Sequence, residues 1–557
     1  MWRIRFILIF FAIFYSVLSI RLFYLQIVSG NRYHREATDQ RSYEMEIPAV
    51  RGSILASDGS PLAMSTDAYL IYTQPSQVTD LNKFTDVVGK ILDLDSKYLN
   101  DQLKQPGRFW IPLAHRADAV TVENLKNTGI SGIGYETESK RFYPEASMSA
   151  HVLGFVGYDT AGKDRGYFGL EGFYDRELSG KSGSLNQEMD AQGNPILLAD
   201  IKRISSKDGR TLVLWTDRIV QRIADVRLAE GIVKYGAKEG TVTVMDPKTG
   251  GILAVSAYPS YEPSRYNQYP ESLYKNPIIA SSYEPGSTFK VLVMAAAVEE
   301  NAVTPQTEMN ENGPVKIGEY TIRTWNDTYR GRINMTDVLV HSSNVGMVFV
   351  ERQLGQKKLL SYIRGFGFGN PTGIDLEEET SPAIRADGEW QEIDFATSSF
   401  GQGIAVTPLQ MIRAVAAIAN GGMVMEPKVV REIRDQSGRS VPLPPKNIKQ
   451  IISPKTARII TEMMISAVDN GEAKWAKPKG YRIAGKTGTA QIPVAGHYDE
   501  KKTIASFVGF APADDPKFVI LVTLREPASS PWGSETAAPL FFNISKDLFL
   551  YYGIAPS

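Results

Sequence analysis

The stretch YEPGSTFKVLVMAAAVEE, residues 283–300, sets a hydroxyl and an amine three positions apart at the head of an apolar run. Pro285-Gly286 open the run and nothing in VLVMAAAV interrupts a helix. Ser287 is therefore expected beside a helix N-terminus, with its free backbone N–H groups and the positive end of the dipole. Residues three apart on a helix share a face, so a neutral Lys290 amine can take the Ser287 proton without a histidine. Burial in an apolar helix favours that neutral form. The other pair at this spacing, Ser272 and Lys275, runs into Asn276-Pro277, and proline disfavours helix in the residue before it. A pair of this kind recurs by chance in a chain of 557 residues, so its meaning depends on what surrounds it.

Upstream, QRIADVRLAEGIVK (221–234) has apolar residues at helical spacing, and TVTVM and ILAVSAY then flank the turn Asp246–Gly251. That is a helix followed by a β-hairpin. Downstream, Ile504–Phe510 and Phe518–Leu524 flank APADDP as a second antiparallel pair, and helical stretches such as Val291–Asn301 and Leu409–Asn420 lie between the hairpins. Strands at both ends with helices between predict one α+β domain over 236–557, an antiparallel sheet with helices. The Pro-rich SVPLPPKN (440–447) reads as a surface loop of that domain. Residues 29–235 read as a strand-rich domain with turn signals at Asp58-Gly59, Gly183-Ser184 and Asp208-Gly209, while 65–135 carry no motif.

Two further pieces carry chemistry. Lys486-Thr487-Gly488-Thr489, on a strand edge, offers a cation and two hydroxyls as a receptor for a carboxylate. The same segment, GYRIAGKT (480–487), satisfies the phosphate-loop pattern G-x-x-x-x-G-K-[ST]. Its context opposes nucleotide binding, because KWAKPK precedes it in place of a buried strand and TAQIPVAG follows in place of a helix. Ser342-Ser343-Asn344 supplies a hydroxyl and an amide that could relay a proton and hold a substrate amide. Lys248-Thr249-Gly250 and Ser184-Leu185-Asn186 repeat these patterns and read as a hairpin turn and a coincidence. No G-x-S-x-G or H-E-x-x-H occurs and cysteine is absent, so neither a metal nor a cofactor is expected.

The ordered set Ser287-x-x-Lys290, Ser342-x-Asn344 and Lys486-Thr487-Gly488 resembles the active-site triplet of penicillin-binding proteins and serine β-lactamases. FGFGNPTGIDL (366–376), FGQGIAVTPLQM (400–411), GKTGTAQ (485–491) and SFVGFAP (506–512) are similar to the class B penicillin-binding proteins, the monofunctional D,D-transpeptidases. RGSILASDGSPLA (51–63), RFYPEASMSAHVLGFVG (141–157) and YFGLEGFYDRELSGKSG (167–183) resemble the pedestal, or dimerisation and partner-docking domain, of that family. WGSETAAPLF (532–541) departs from it, standing where relatives carry paired glycines before Ala-Ala-Pro. No glycosyltransferase-sized domain precedes the pedestal, which sets aside the bifunctional class A architecture.

The resemblance implies a serine acyl-enzyme that cross-links peptidoglycan stem peptides ending in D-Ala-D-Ala and is inhibited by β-lactams. Ser287 is then the nucleophile and Lys290 the general base. Ser342 passes a proton to the leaving amine, and Asn344 orients the substrate amide and Lys290. Lys486, Thr487, Gly488 and Thr489 belong to the substrate site, with the amides of Ser287 and Thr489 as the oxyanion hole. The pedestal wording is closest to cell-division enzymes, and the implied partners are a polytopic membrane glycosyltransferase and other division or elongation proteins. An elongation-type transpeptidase, a D,D-carboxypeptidase, a β-lactamase and a non-catalytic β-lactam-binding scaffold or sensor are the alternatives.

Composition agrees with a soluble body on a membrane stem. The 61 Lys+Arg and 62 Asp+Glu give a net charge of −1, without the basic excess that nucleic acid selects. Hydrophobic residues at 43% and charged residues at 22% are ordinary globular values. The uncharged run from Phe6 to Ile20 would span only ~22 Å as a helix, but its continuation to Val28 gives ~34 Å, against a hydrocarbon core of ~30 Å. Residues 6–28 are therefore expected to be a single-pass signal anchor behind a cytoplasmic tail of residues 1–5. Arg3 and Arg5 precede it while Arg21, Arg32, Arg35 and Arg41 follow, so charge does not set its orientation. The implied substrate does, placing the catalytic domain outside the plasma membrane.

Overall fold

The computed structural model describes residues 1–188, 202–494 and 497–556, with backbone alone at 38–44, 493–494 and 497–501. The chain divides into two compact units, residues 1–51 with 179–209, and residues 52–178 with 210–557.

The first unit opens on the helix Trp2–Phe23, which continues through one π turn, Tyr24–Val28. The 27 residues from Trp2 to Val28 are long and apolar enough to cross a membrane, ~40 Å at 1.5 Å per residue. Ser42–Ile47, Gly183–Glu188 and Lys202–Ile204 form a three-stranded antiparallel sheet. Gly183-Ser184, read from sequence as a turn, therefore opens a strand.

In the second unit a five-stranded antiparallel sheet runs in the order Ile252–Tyr258, Glu239–Met245, Phe518–Arg525, His497–Ala511, Ala484–Val494. Both predicted hairpins are in it. Side chains alternate across a strand, and Phe518–Arg525 uses both faces. Phe518, Ile520, Val522 and Leu524 pack with the helices Arg218–Tyr235 and Ala537–Tyr551, whereas Val519 and Leu521 join the core containing Lys290–Glu299 and Pro408–Ala419. The helix Lys290–Glu299 is buried from Lys290 through Val298, the placement that an all-round apolar sequence requires.

A second, seven-stranded sheet joins distant parts of the chain. Its path is Ser440–Pro442, Val430–Arg434, Thr211–Leu214, Ile54–Leu55, Pro61–Thr73, Ile111–Ala117, with Ile133–Phe142 also paired to Pro61–Thr73. SVPLPPKN is thus not wholly a loop, because its first three residues are an edge strand. Edge strands tolerate the proline that central strands exclude. Between 65 and 135, where the sequence offered no motif, three helices accompany the strands: Leu81–Leu92, Ser96–Leu103 and Ala119–Asn127. Each begins with an aspartate cap, Asp80, Asp95 and Asp118, accepting from a backbone N–H at 2.7–3.0 Å. Phe84, Val88, Leu103, Val122 and Leu125 close them onto Ile71 and Ile111 as a separate small core.

A buried ion pair fixes the start of this sheet to the following helices. Arg141 Nε donates to Glu171 Oε1 at 2.6 Å and its Nη1 to the Gly52 carbonyl at 2.7 Å, with both side chains almost fully buried. Removing one partner strands a buried charge, which typically costs 3–5 kcal/mol. Arg141→Ala is therefore expected to lose about 4 kcal/mol and to unfold at a clearly lower denaturant midpoint. A midpoint equal to that of the parent chain would contradict this role.

Candidate active site

Ser287 does not lie on the α-helix proper. Gly286–Phe289 is a single 3₁₀ turn that feeds the helix Lys290–Glu299. Side chains at i and i+3 eclipse in a 3₁₀ turn, so this geometry aligns Ser287 and Lys290 more closely than the α-helix expected from sequence. Gly286 has φ +54° and its N–H donates to the Gly401 carbonyl at 3.0 Å. A Cβ there would press on the Thr489 carbonyl at 3.0 Å.

Lys290 is fully buried and its Nζ meets three oxygens: the Ser342 carbonyl at 2.6 Å, Asn344 Oδ1 at 2.8 Å and Ser342 Oγ at 3.3 Å. Burial, reinforced by the nearby Lys486 charge, holds the Lys290 amine well below its ordinary pKa. In the neutral amine, the carbonyl and the amide oxygen take the two N–H groups. The lone pair is left for a hydroxyl proton.

Ser342 sits between the helices Met335–Val340 and Asn344–Leu354 with φ +54°, an uncommon conformation for a residue with a side chain. Its neighbour fixes it from behind. Ser343 caps the second helix by accepting from Gly346 N at 2.8 Å and donates to the buried carboxylate of Glu311. Asn344 Nδ2 donates to the Arg323 carbonyl at 3.0 Å, which turns its Oδ1 toward Lys290.

Lys486, on the outermost strand Ala484–Val494, is 3% exposed and donates to Ser342 Oγ at 3.0 Å and Thr487 Oγ1 at 3.2 Å. The Ser342 hydroxyl therefore lies between two lysines. Burial lowers Lys486 to about 8, against the opposing charge of Glu472. Gly488 is a spacer: a Cβ would meet Ser506 Oγ at 2.4 Å and Thr288 Cγ2 at 2.8 Å. Its absence lets the strand close on the Ser287 turn.

These residues surround a cleft of about 210 Å³ lined by Ser287, Ser342, Asn344, Thr487 and Thr489. Sequence reading missed other parts of its wall. Trp325 and Trp532 meet edge to face at 5.0 Å, and Phe400, Gln402 and Glu472 also line it. Trp532 lies in the segment that departs from the family pattern, and the next residue shows how that segment fits. Gly533 N donates to Thr489 Oγ1 at 3.0 Å, while a Cβ on Gly533 would sit 2.2 Å from the Gly488 carbonyl. One glycine is enough for this contact.

The decoys stay apart. Ser272 and Lys275 are exposed around the short turn Glu271–Leu273, Lys248 pairs with Asp515 at the hairpin, and Ser184 and Asn186 lie on a strand of the other unit. GYRIAGKT leads into a strand that runs to Val494, so no helix N-terminus faces it. His151 is buried at about pKa 4, donating from Nε2 to the Leu273 carbonyl at 3.0 Å.

The penicillin binding protein transpeptidase domain matches residues 240–546 and the penicillin-binding protein dimerisation domain matches 46–214. This chain belongs to the class B penicillin-binding proteins. Stage V sporulation protein D of Bacillus subtilis is 33% identical over 561 residues, covering 100% of this chain and 86% of that protein. The probable peptidoglycan D,D-transpeptidase PenA of Neisseria meningitidis is 30% identical, covering 100% and 94%. Among solved structures, penicillin binding protein 2X of Streptococcus thermophilus superposes with a TM-score of 0.77 at 25% identity, over 92% of this chain and 80% of that one. Penicillin binding protein 3 of Mycobacterium tuberculosis, complexed with aztreonam, gives 0.71 at 26% identity, over 92% and 98%. The N-terminal helix Trp2–Val28 of this penicillin-binding protein is suited to anchor it in a membrane.

The two lysines predict a bell-shaped pH dependence. Acylation by a penicillin, followed as rate over concentration, should rise as pH climbs through the depressed Lys290 pKa, because only the neutral amine accepts a proton. It should fall above about pH 8 as Lys486 loses its positive charge. Lys486→Arg, which stays charged, should move the alkaline limb upward. An unmoved limb would assign it to another group.

Proposed function

We propose that this chain is a peptidoglycan D,D-transpeptidase. Ser287 Oγ attacks the carbonyl of the penultimate D-Ala of a stem peptide while neutral Lys290 takes its proton. The C–N bond to the terminal D-Ala breaks, and the Ser342 hydroxyl delivers a proton to that leaving amine. Lys486 with Thr487 and Thr489 holds the terminal carboxylate, and Asn344 orients the substrate amide. The amides of Ser287 and Thr489 stabilise the oxyanion. The amine of a second strand then takes the acyl group from Ser287 and forms the cross-link. β-Lactams acylate the same hydroxyl because their strained amide mimics D-Ala-D-Ala. The observation that carries this reading is the Ser342 hydroxyl held between Lys290 and Lys486.

The substrate lies outside the cytoplasm, so residues after the anchor 6–28 face outward from the plasma membrane. Residues 29–235 act as the pedestal that docks a polytopic glycosyltransferase, and 236–557 as the catalytic domain, with the helix Arg218–Tyr235 packed against the catalytic sheet. Division is the favoured setting. The relative named for stage V of sporulation keeps a spore-forming stage as the second reading, and the site of a fluorescent fusion in growing and sporulating cells separates them.

The deciding experiment supplies a stem pentapeptide donor and a D-amino acid acceptor. The acceptor should appear in the acylated product, with D-Ala released in equal amount. If hydrolysis gives the only product whatever the amine concentration, the chain is a carboxypeptidase or β-lactamase.

A further inference from the structure

A cavity larger than the catalytic cleft lies elsewhere among the described residues. A space of about 1080 Å³ opens among the helix Gln356–Gly365, the segment 367–373, Trp390 and Lys449, and none of its lining residues lines the cleft. Its inner wall holds Arg413, 5% exposed. Arg413 Nη2 donates to the Gly367 carbonyl at 3.0 Å and the Phe366 carbonyl at 3.3 Å, whereas its buried Nε has no partner. Among the described residues no carboxylate pairs with it. Its hydrogen bonds go to neutral oxygens, and burial lowers it to about 10 against the nearby charges of Glu379 and Glu426.

The rim adds to this charge. Lys357 and Lys449 are exposed and, among the described residues, have no ion pair. The carboxylates of the wall are already engaged: Asp387 by Arg364 at 2.6 Å, and Glu426 by Lys446 at 2.6 Å and Lys428 at 2.9 Å. On one side stands the half-buried Trp390, held by its Nε1–H on the Arg385 carbonyl at 3.1 Å and by Phe395 at 5.1 Å. A fixed aromatic face beside two unpaired lysines and a buried arginine suits a sugar ring with a carboxylate-bearing peptide.

We propose that this cavity is a second, non-catalytic binding site for an acidic muropeptide segment of the glycan strand. The peptide carboxylates meet Lys357, Lys449 and Arg413, and a pyranose ring stacks on Trp390. The identity of the ligand rests on the peptidoglycan reading above.

The test uses the full chain in detergent, with Ser287 first acylated by unlabelled penicillin so that the cleft is closed. The probe is the disaccharide dipeptide N-acetylglucosaminyl-N-acetylmuramyl-L-Ala-D-Glu, which lacks the D-Ala-D-Ala terminus, titrated by calorimetry. Saturable binding is expected, at least tenfold weaker in the double variant Lys357→Glu/Lys449→Glu and at least fivefold weaker in Trp390→Leu. Uncharged diacetylchitobiose and free L-Ala-D-Glu should each bind at least tenfold more weakly than the probe. Absence of binding, an affinity unchanged in the exposed-lysine variant, or equal binding of either half of the probe would overturn the proposal. Failure of penicillin to acylate would instead count against the transpeptidase reading, and the titration would still report on the cavity.

Discussion

Ser287→Ala is expected to abolish covalent labelling by a fluorescent penicillin while the chain remains folded. The cleft holds other hydroxyls, Ser342 and Thr487 among them, but both already accept from Lys486. Ser287 is the one at the head of the 3₁₀ turn, with the buried amine three residues on. Loss should therefore be complete at concentrations that saturate the parent chain within minutes. Persistent labelling of the alanine variant would move the nucleophile elsewhere and remove the basis of the mechanism.

Lys290→Met should be nearly as severe. General-base catalysis contributes roughly 10²–10⁴-fold, and this amine also holds Asn344 Oδ1 and the Ser342 carbonyl, so acylation should slow by about 10³-fold or more. Methionine fills a similar volume, which separates chemistry from packing. Lys290→Arg keeps a cation and the donors but cannot release its proton at working pH, and it should be equally slow. Acylation by either variant within tenfold of the parent rate would mean that Lys290 is structural.

The parts of the fold legible in the sequence were those governed by local pattern. The alternating TVTVM and the continuous apolar run FVILVTL marked strands, and the unbroken VLVMAAAV marked a buried helix. What escaped was set by partners far along the chain. Ser440–Pro442 is a strand only because Val430–Arg434 lies beside it, a pairing that outweighs the local signal of its prolines. The helices after Asp80, Asp95 and Asp118 did have a sequence signal, an aspartate cap ahead of an apolar face, but the runs are short. In the site, the residue types and order of the three motifs were readable. Glu472, Trp325 and Trp532 were not, because single residues in three separate loops become neighbours only through the tertiary fold.

The pairing of Thr211–Leu214 with Val430–Arg434 has a consequence for how the protein is made. The earlier strand emerges from the ribosome roughly 220 residues before its partner, a wait of some 10–40 s at ordinary elongation rates of about 5–20 residues per second. During that interval one margin of the sheet is unpaired and able to recruit any passing chain. The nascent polypeptide must therefore be sheltered until its later portion arrives, and a truncated product ending before residue 430 should aggregate rather than mature.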